Sequence, residues 1–322
     1  MNVTHPPSVL VIAGPTASGK SALAMDVAAT FDGTVINADA MQVYAELRVL
    51  TARPSPADEA RVPHRLYGVL PAAERCSAGR WRGLAWAAVE EAWGEGRLPV
   101  VAGGTGLYLR ALMEGLAPVP AIPEAVRREA AEALAAGGID GLRRALEPLD
   151  PAAAARLRDR QRLQRAYEVV RATGRTLAAW QQAGSEPPPA RFVVITLEPP
   201  REVLYAAIDA RFEAMIEAGA VEEVRALTAL GLDPALPAMK AVGVRELGAY
   251  LRGEMDLAGA VEAAQRGSRQ LAKRQLTWIR HQVSVDLREF AQYSESHKEI
   301  IFSFIRRLVL TKGAGATTFP AD

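Results

Sequence analysis

The chain has 322 residues, 49% of them hydrophobic, and its 38 Lys and Arg against 37 Asp and Glu leave a formal net charge of +1. At roughly 150 residues per domain, that length predicts two domains or one core with a sizeable insertion. The balanced charge argues against a uniformly basic nucleic-acid binder, although it says nothing of local fields. The single cysteine, Cys76, excludes a disulfide scaffold, and His5, His64, His281 and His297 are scattered without the Cys partners that zinc-site spacing needs. No apolar run approaches the ~18 residues that span a bilayer, and residues 1–7 lack the charged-then-apolar layout of a signal peptide. A soluble cytoplasmic protein with no membrane partner is expected.

Residues 9–13 form a short apolar run rich in β-branched side chains and closed by Gly14-Pro15, which predicts a buried strand entering a loop. A helix is predicted over about 19–31, a second strand over 34–36, a helix over 77–96 and a third strand over 98–101 before the turn 103–106. Alternation of this kind implies a parallel sheet covered by helices on both faces. From 124 to 182 the periodicity is only helical, broken by Gly137-Gly138 and Pro148, and it ends in a linker-like stretch at 184–189. Residues 192–196 predict a further buried strand, so the economical reading is an all-α insertion within an α/β core. The remainder is mostly helical to His281, followed by a short apolar stretch at 283–285 and a low-complexity tail at 312–322; no solenoid repeat is present. The expected organisation is a core at 1–115, an insertion at 116–189, the core resumed at 190–290, and an extension at 291–322.

Gly14-Pro15-Thr16-Ala17-Ser18-Gly19-Lys20-Ser21 fits the phosphate-loop pattern G-x-x-x-x-G-K-[ST], placed between a strand and a helix as the chemistry requires. That spacing aims successive backbone N–H groups at phosphate oxygens, while Lys20 adds a point charge, Ser21 a hydroxyl for Mg²⁺, and the helix N-terminus a favourable dipole. The motif does not make the ligand ATP. Switch and motor NTPases add a strand ending in a Mg²⁺-binding Asp, whereas the strands at 98–101 and 192–196 run into Ala-Gly and Leu. The acid that does appear is Asp39, just beyond the second strand, where ligands of open α/β sheets bind. Its position suits an acceptor better than a hydrolytic water.

Two basic stripes lie inside the neutral total. Seven arginines between 156 and 175 face only Asp159 and Glu168, with Arg158, Gln161, Arg162 and Arg165 at helical spacing and Leu163, Tyr167 and Val170 on the opposite face. Between 266 and 281, Arg266, Arg269, Lys273, Arg274 and Arg280 have no acid among them, and Leu271, Leu276, Trp278 and Ile279 supply the apolar part. The two stretches carry +10 and the rest of the chain −9. Taken alone, each stripe reads equally as a solvated helix face or as a track for a phosphate backbone.

An ordered series of motifs resembles the tRNA dimethylallyltransferases over most of the chain, roughly 9–282. Besides the phosphate loop these are Asn37-Ala38-Asp39-Ala40-Met41-Gln42-Val43-Tyr44, Gly103-Gly104-Thr105-Gly106-Leu107-Tyr108, Gln161-Arg162-Leu163-Gln164-Arg165-Ala166, Arg211-Phe212, Ala241-Val242-Gly243 and Ala272-Lys273-Arg274-Gln275-Leu276-Thr277-Trp278. The resemblance implies a P-loop NTPase-like α/β fold and transfer of a dimethylallyl group from dimethylallyl diphosphate to N6 of the tRNA adenosine 3′-adjacent to the anticodon. It implies that residues 14–21 with Mg²⁺ hold the diphosphate, that Asp39 is the general base, and that Thr105 and Arg211 position the diphosphate. The adenine would be flipped out and read by Asp39, Ala40, Met41, Gln42 and Thr105. Further tRNA contacts would come from Arg127, Gln161, Arg162, Leu163, Gln164, Arg165, Lys240 and Arg245, with the stripe near Trp278 a candidate for phosphates. A monomer is expected.

The chain departs from the family pattern at Ala40, where Ser is common, and at Val244 and Glu246, where Tyr and Gln are common; nothing beyond Gln282 is carried over. A small-molecule kinase, a non-catalytic RNA-binding ATPase and a prenyltransferase of free adenine nucleotides share the loop. The Gly103–Tyr108 string and the long helical insertion favour the tRNA enzyme.

Overall fold

The computed structural model describes residues 6–184 and 188–307. His5, residues 185–187 of the linker-like stretch and the tail 312–322 lie outside the described residues. β1 (Ser8–Ala13) runs into the phosphate loop, and α1 (Lys20–Thr30) returns the chain to β2 (Gly33–Asn37). Next come α2 (Pro56–Arg61), the two-residue β3 (His64–Arg65), α3 (Ala78–Gly94), β4 (Leu98–Gly103) and α4 (Gly106–Glu114). Four helices follow: α5 (Glu124–Leu146), α6 (Pro151–Arg156), α7 (Arg160–Thr173) and α8 (Leu177–Gln182). The sheet resumes at β5 (Arg191–Leu197), followed by α9 (Arg201–Glu217), α10 (Ala220–Ala229), α11 (Val244–Leu251), α12 (Leu257–Gln282), β6 (Leu287–Glu289) and α13 (Glu295–Ile305).

The six strands form one all-parallel sheet in the order β3-β2-β4-β1-β5-β6. Both faces are covered, which is why the central strands are continuous apolar runs. Alternate residues serve opposite faces: Val9, Val11 and Ala13 join the core under α3, α4 and α9 to α12, while Leu10 and Ile12 join the core under α1 and α13. The chain leaves β1 toward one face and β4 toward the other. The crevice outside their carboxyl ends is therefore the switch point at which such sheets bind ligands.

Periodicity missed the short edge strands. The apolar stretch at 283–285 does not form the strand; pairing starts at Leu287, because Asp286 accepts a bond from Val194 N at 2.8 Å and returns one from its own N to Val194 O at 2.9 Å. The expected extension beyond 290 contains α13, whose Ile301, Phe302 and Ile305 are buried, with Phe302 edge-on to Phe31 at 5.3 Å. That helix completes one face of the core rather than standing apart from it.

The chain divides into two compact units, Met1–Met113 with Pro189–Asp322, and Glu114–Pro188. The second unit is all-α. Its Gly137 and Gly138 take non-helical angles, with φ +59° at Gly138, so α5 is two helices joined at a kink. Leu142, Leu146, Leu163, Ala166, Tyr167 and Val170 form its core. Asp159 caps α7 through Arg162 N at 3.0 Å, which leaves Arg158, expected in the helical stripe, outside the helix. No helix among the described residues is long and apolar enough to cross a membrane.

A Cβ on Gly103 would lie 2.2 Å from the carbonyl oxygen of Ala38, whereas one on the exposed helical Gly83 would meet nothing within 4 Å. Gly103→Ala is expected to destabilise the chain by about 2 kcal/mol or more, and Gly83→Ala to stabilise it by about 0.5–1 kcal/mol. Thermal unfolding of the two variants checks the contrast; equal midpoints would contradict the close approach at Gly103.

Candidate active site

The loop between β1 and α1 bends through two left-handed residues, Ala17 at φ +64° and Gly19 at φ +87°. Such bends turn successive N–H groups toward one point and form an anion-binding nest. Gly14 cannot carry a side chain there, because its Cβ would lie 2.6 Å from Ser18 Oγ and 3.1 Å from the Leu197 carbonyl. Thr16 is held twice: its N–H donates to Gln275 Oε1 at 2.8 Å and its Oγ1 accepts from Arg211 Nη2. Lys20 Nζ donates to Pro15 O at 3.1 Å. Burial pulls the Lys20 pKa down to about 8; the Asp39 carboxylate opposes the shift and the Arg211 charge adds to it. Ser18 Oγ is buried with no hydrogen-bond partner, a cost of about 1–3 kcal/mol that a ligand oxygen would relieve. Ser21 is exposed at the first turn of α1.

Asp39 sits beyond β2 in a clasp built from buried polar groups. Asn37 Oδ1 accepts from Asp39 N at 2.8 Å, and Asn37 Nδ2 donates to Asp39 O and Leu66 O, both at 3.0 Å. Trp81 Nε1 donates to Asn37 O at 3.0 Å, and the Trp81 ring stacks on Tyr108 at 4.4 Å. Thr105 N donates to Ala38 O at 3.2 Å while Thr105 Oγ1 accepts from Ala40 N at 2.9 Å, so β4's exit loop is stitched to the backbone on both sides of Asp39. Asp39 Oδ1 accepts from Met41 N at 2.8 Å, which leaves Oδ2 without a hydrogen-bond partner among the described residues. Gln42 Nε2 is spent on Thr51 O and Ala52 O, at 2.8 and 3.1 Å.

Arg211 reaches the loop from α9, and its pKa is lowered by burial with Asp39 opposing. The fold thus gathers residues 14–21, Asp39, Thr105 and Arg211 around the carboxyl ends of β1, β2 and β4. Two further contributors, Asn37 and Gln275, carry no chemical signal of their own within their motifs. Asn37 is a fully buried polar residue ending an apolar strand, and Gln275 lies on the buried stripe Ser268, Ala272, Gln275, Ile279 of α12. A polar residue on an apolar stripe is the signal that would have marked Gln275.

Three of the five cations of the second basic stripe are paired with acids, one a turn away on the same helix and two remote in sequence. Arg266 pairs with Glu262 at 2.9 Å, Arg269 with Asp209 at 2.5 Å, and Arg280 with Glu198 at 3.1 Å. Lys273 and Arg274 are left as the stripe's exposed cations with no acidic partner among the described residues. Lys240 and Arg245 are exposed, on the 3₁₀ turn Ala238–Lys240 and the first turn of α11. The departures from the family pattern have structural uses: Val244 is buried in the core, and Glu246 accepts from Gly243 N at 3.0 Å to cap α11.

Within the helical unit, Arg127, Gln161, Arg162 and Arg165 are exposed. Arg127 lies close enough to Arg165 to help burial lower its pKa, against Glu168. Gln164 donates to Glu168 at 2.9 Å. Leu163 corrects the expectation that it touches RNA: its side chain is fully buried in the unit's core, because it falls on the apolar face of α7 with Ala166, Tyr167 and Val170.

Residues 42–282 match the family described as IPP transferase, and residues 7–69 match the one described as isopentenyl transferase. The chain is 60% identical over 288 residues to a tRNA dimethylallyltransferase of Rhodospirillum centenum, covering 88% of this chain and 91% of the relative. The chain belongs to the IPP transferase family. A tRNA dimethylallyltransferase of Rhodospirillum rubrum is 55% identical over 311 residues, covering 94% of this chain and 95% of that one. Among solved structures, the tRNA isopentenylpyrophosphate transferase of Bacillus halodurans superposes with a TM-score of 0.70 at 30% identity, covering 95% of this chain and 97% of that one. A eukaryotic dimethylallyltransferase acting on tRNA superposes with a TM-score of 0.81 at 25% identity, covering 93% and 78%. In this chain the phosphate loop lies near the Asp39 carboxylate, close enough for it to act on the charges of Lys20 and Arg211.

In metal-free buffer, inorganic diphosphate is expected to bind more weakly as pH rises through about 8, because Lys20 is then neutral in the free protein and must take up a proton to bind the anion. The loss reaches up to about tenfold per pH unit. Calorimetric titration of Lys20→Arg, which stays charged, is expected to show a shallower dependence than the native chain. Identical slopes would mean that Lys20 does not titrate in this range.

Proposed function

We propose that the chain transfers the dimethylallyl group of dimethylallyl diphosphate to N6 of the adenosine 3′-adjacent to the anticodon of tRNA, releasing diphosphate. The observation that carries this reading is the meeting of charges at the loop: Lys20 and Arg211 hydrogen-bond to Pro15 O and Thr16 Oγ1 of the phosphate loop, and the Asp39 carboxylate lies near enough to oppose the fall in pKa of both. A leaving-group cradle and a base are thereby held in one place, in a chain of this family.

The adenine amine attacks C1 of the dimethylallyl group as the C1–O bond breaks, and the bonding pair leaves with the diphosphate. Nest N–H groups, Lys20 and Arg211 meet the negative charge that grows on the leaving oxygen. Asp39, its Oδ1 tied to Met41 N, uses Oδ2 to accept the proton that N6 loses. Thr105, accepting from Ala40 N, keeps its own hydroxyl proton to donate to substrate. An adenine stacked in an anticodon loop cannot enter such a pocket, so it is flipped out and read by the backbone and side chains of residues 39–42.

The donor set fits Mg²⁺ delivered with substrate. Ser21 offers a hard hydroxyl oxygen, and no cluster of three His, Cys, Asp or Glu suited to a metal exists among the described residues. Ser21 and the diphosphate's own oxygens would hold the ion, which supplies charge neutralisation to the leaving group. The exposed Arg127, Gln161, Arg162 and Arg165, with Gln164 beside them, suit the phosphates and bases of the anticodon stem-loop, as do Lys240, Arg245, Lys273 and Arg274. On this reading the protein works on tRNA in the cytoplasm as a monomer.

Purified protein incubated with dimethylallyl diphosphate, Mg²⁺ and unmodified tRNA is expected to yield prenylated adenosine beside the anticodon by mass spectrometry; no product would overturn the reading. Asp39→Asn is expected to lower kcat by ~10²-fold or more while tRNA affinity stays within about twofold. An unchanged kcat would remove Asp39 from the role of base. Replacing Arg162 and Arg165 with Gln is expected to weaken tRNA binding and to flatten the slope of log K against log salt by about 1–2. An unchanged slope would return that face to ordinary solvated surface.

A further inference from the structure

The family match ends at residue 282, yet the segment that follows touches the phosphate loop. Gln292 Nε2 donates to Ala17 O at 3.2 Å, and Tyr293 N donates to Ser18 O at 3.3 Å. Tyr293 Cβ lies 2.9 Å from where a Gly19 side chain would begin. The Tyr293 hydroxyl donates to Asp26 Oδ2 on α1 at 2.9 Å, and the other oxygen of Asp26 is held by Arg61 at 3.0 Å. The segment is fixed at both ends, by β6 paired to β5 and by α13 buried against α1.

A nest that turns its N–H groups inward turns its carbonyls outward, and outward carbonyls need partners of their own. Ala17 and Gly19 also occupy left-handed backbone, which is strained for the side chain of Ala17. The inner side of the loop is held by Gln275 and Arg211 through Thr16. On the outer side, Gln292 and Tyr293 hold the two carbonyls that lie between the left-handed residues Ala17 and Gly19.

We propose that Gln292 and Tyr293 form a positioning strap that keeps the phosphate loop in its anion-binding conformation before substrate arrives. The proposal rests on the reading of the loop as a diphosphate cradle. Neither residue touches substrate; both act through the backbone of residues 17–19. A cradle already shaped spends less of its binding energy on ordering itself, so loss of the strap falls on diphosphate affinity and on the KM for dimethylallyl diphosphate. The KM for tRNA is untouched.

The test compares the native chain with Gln292→Ala/Tyr293→Phe, which removes the donor to Ala17 O and the hydroxyl that anchors Tyr293 to Asp26, titrating inorganic diphosphate with Mg²⁺ by calorimetry and following hydrogen exchange of the amides of residues 16–21 in the unliganded protein. Val89→Ala, buried in the core of the opposite sheet face, serves as a destabilised control that leaves the loop alone. The strap variant is expected to bind diphosphate about 5- to 10-fold more weakly and to exchange its loop amides faster, while Val89→Ala lowers the Tm and keeps native affinity. Native affinity in the strap variant, or an equal loss in Val89→Ala, overturns the proposal. A native chain that binds no diphosphate overturns instead the reading of the loop, and the strap's role with it.

Discussion

The contact between Gly103 and the Ala38 carbonyl is the constraint on which the site depends. With no Cβ at Gly103 or Gly104, the exit of β4 presses against the exits of β2 and β1: a Cβ on Gly104 would sit 2.8 Å from Gly14 O and 2.3 Å from Gln275 Nε2. Only this closeness allows Thr105 to bond on both sides of Asp39, to Ala38 and Ala40, while Gln275 reaches across to Thr16. One side chain at either glycine would separate the carboxylate from the phosphate loop. The chemistry therefore rests on two residues that contribute no chemistry.

That closeness concentrates charge. Lys20 and Arg211 are both held below their ordinary pKa values by burial, and Asp39 is the compensating charge for each. Burial makes the Lys20 charge costly in the unliganded chain, pulling its pKa down to about 8. On the proposed reaction a diphosphate would offset that cost on binding, and the same charges would then favour the further negative charge that grows as the C–O bond breaks. The polar clasp around Asp39, with Trp81 and Tyr108 behind it, fixes one carboxylate oxygen and leaves the other without a hydrogen-bond partner among the described residues, as the proposed base requires.

The central strands were legible because a parallel sheet buried on both faces writes itself as short apolar runs, and the phosphate loop because its geometry needs particular residues at particular spacings. The edge strands β3 and β6 were not. Two- and three-residue strands have no period, and β6 is placed by Asp286 bonding to Val194, a contact between residues far apart in the sequence. The acids that pair with Arg269 and Arg280 were invisible for the same reason, so the second stripe looked more cationic than it is. Leu163 shows the limit of carrying over a motif whole: a string shared by a family contains its core residues along with its contact residues.

In the proposed reaction cradle and base serve one coupled step. The sharpest experiment counts diphosphate released against prenylated adenosine formed, in a single turnover with and without tRNA. One diphosphate per modified adenosine and no release without tRNA are expected. Diphosphate released at the same rate in the absence of tRNA would contradict it, since the pocket would then activate the leaving group without waiting for its acceptor.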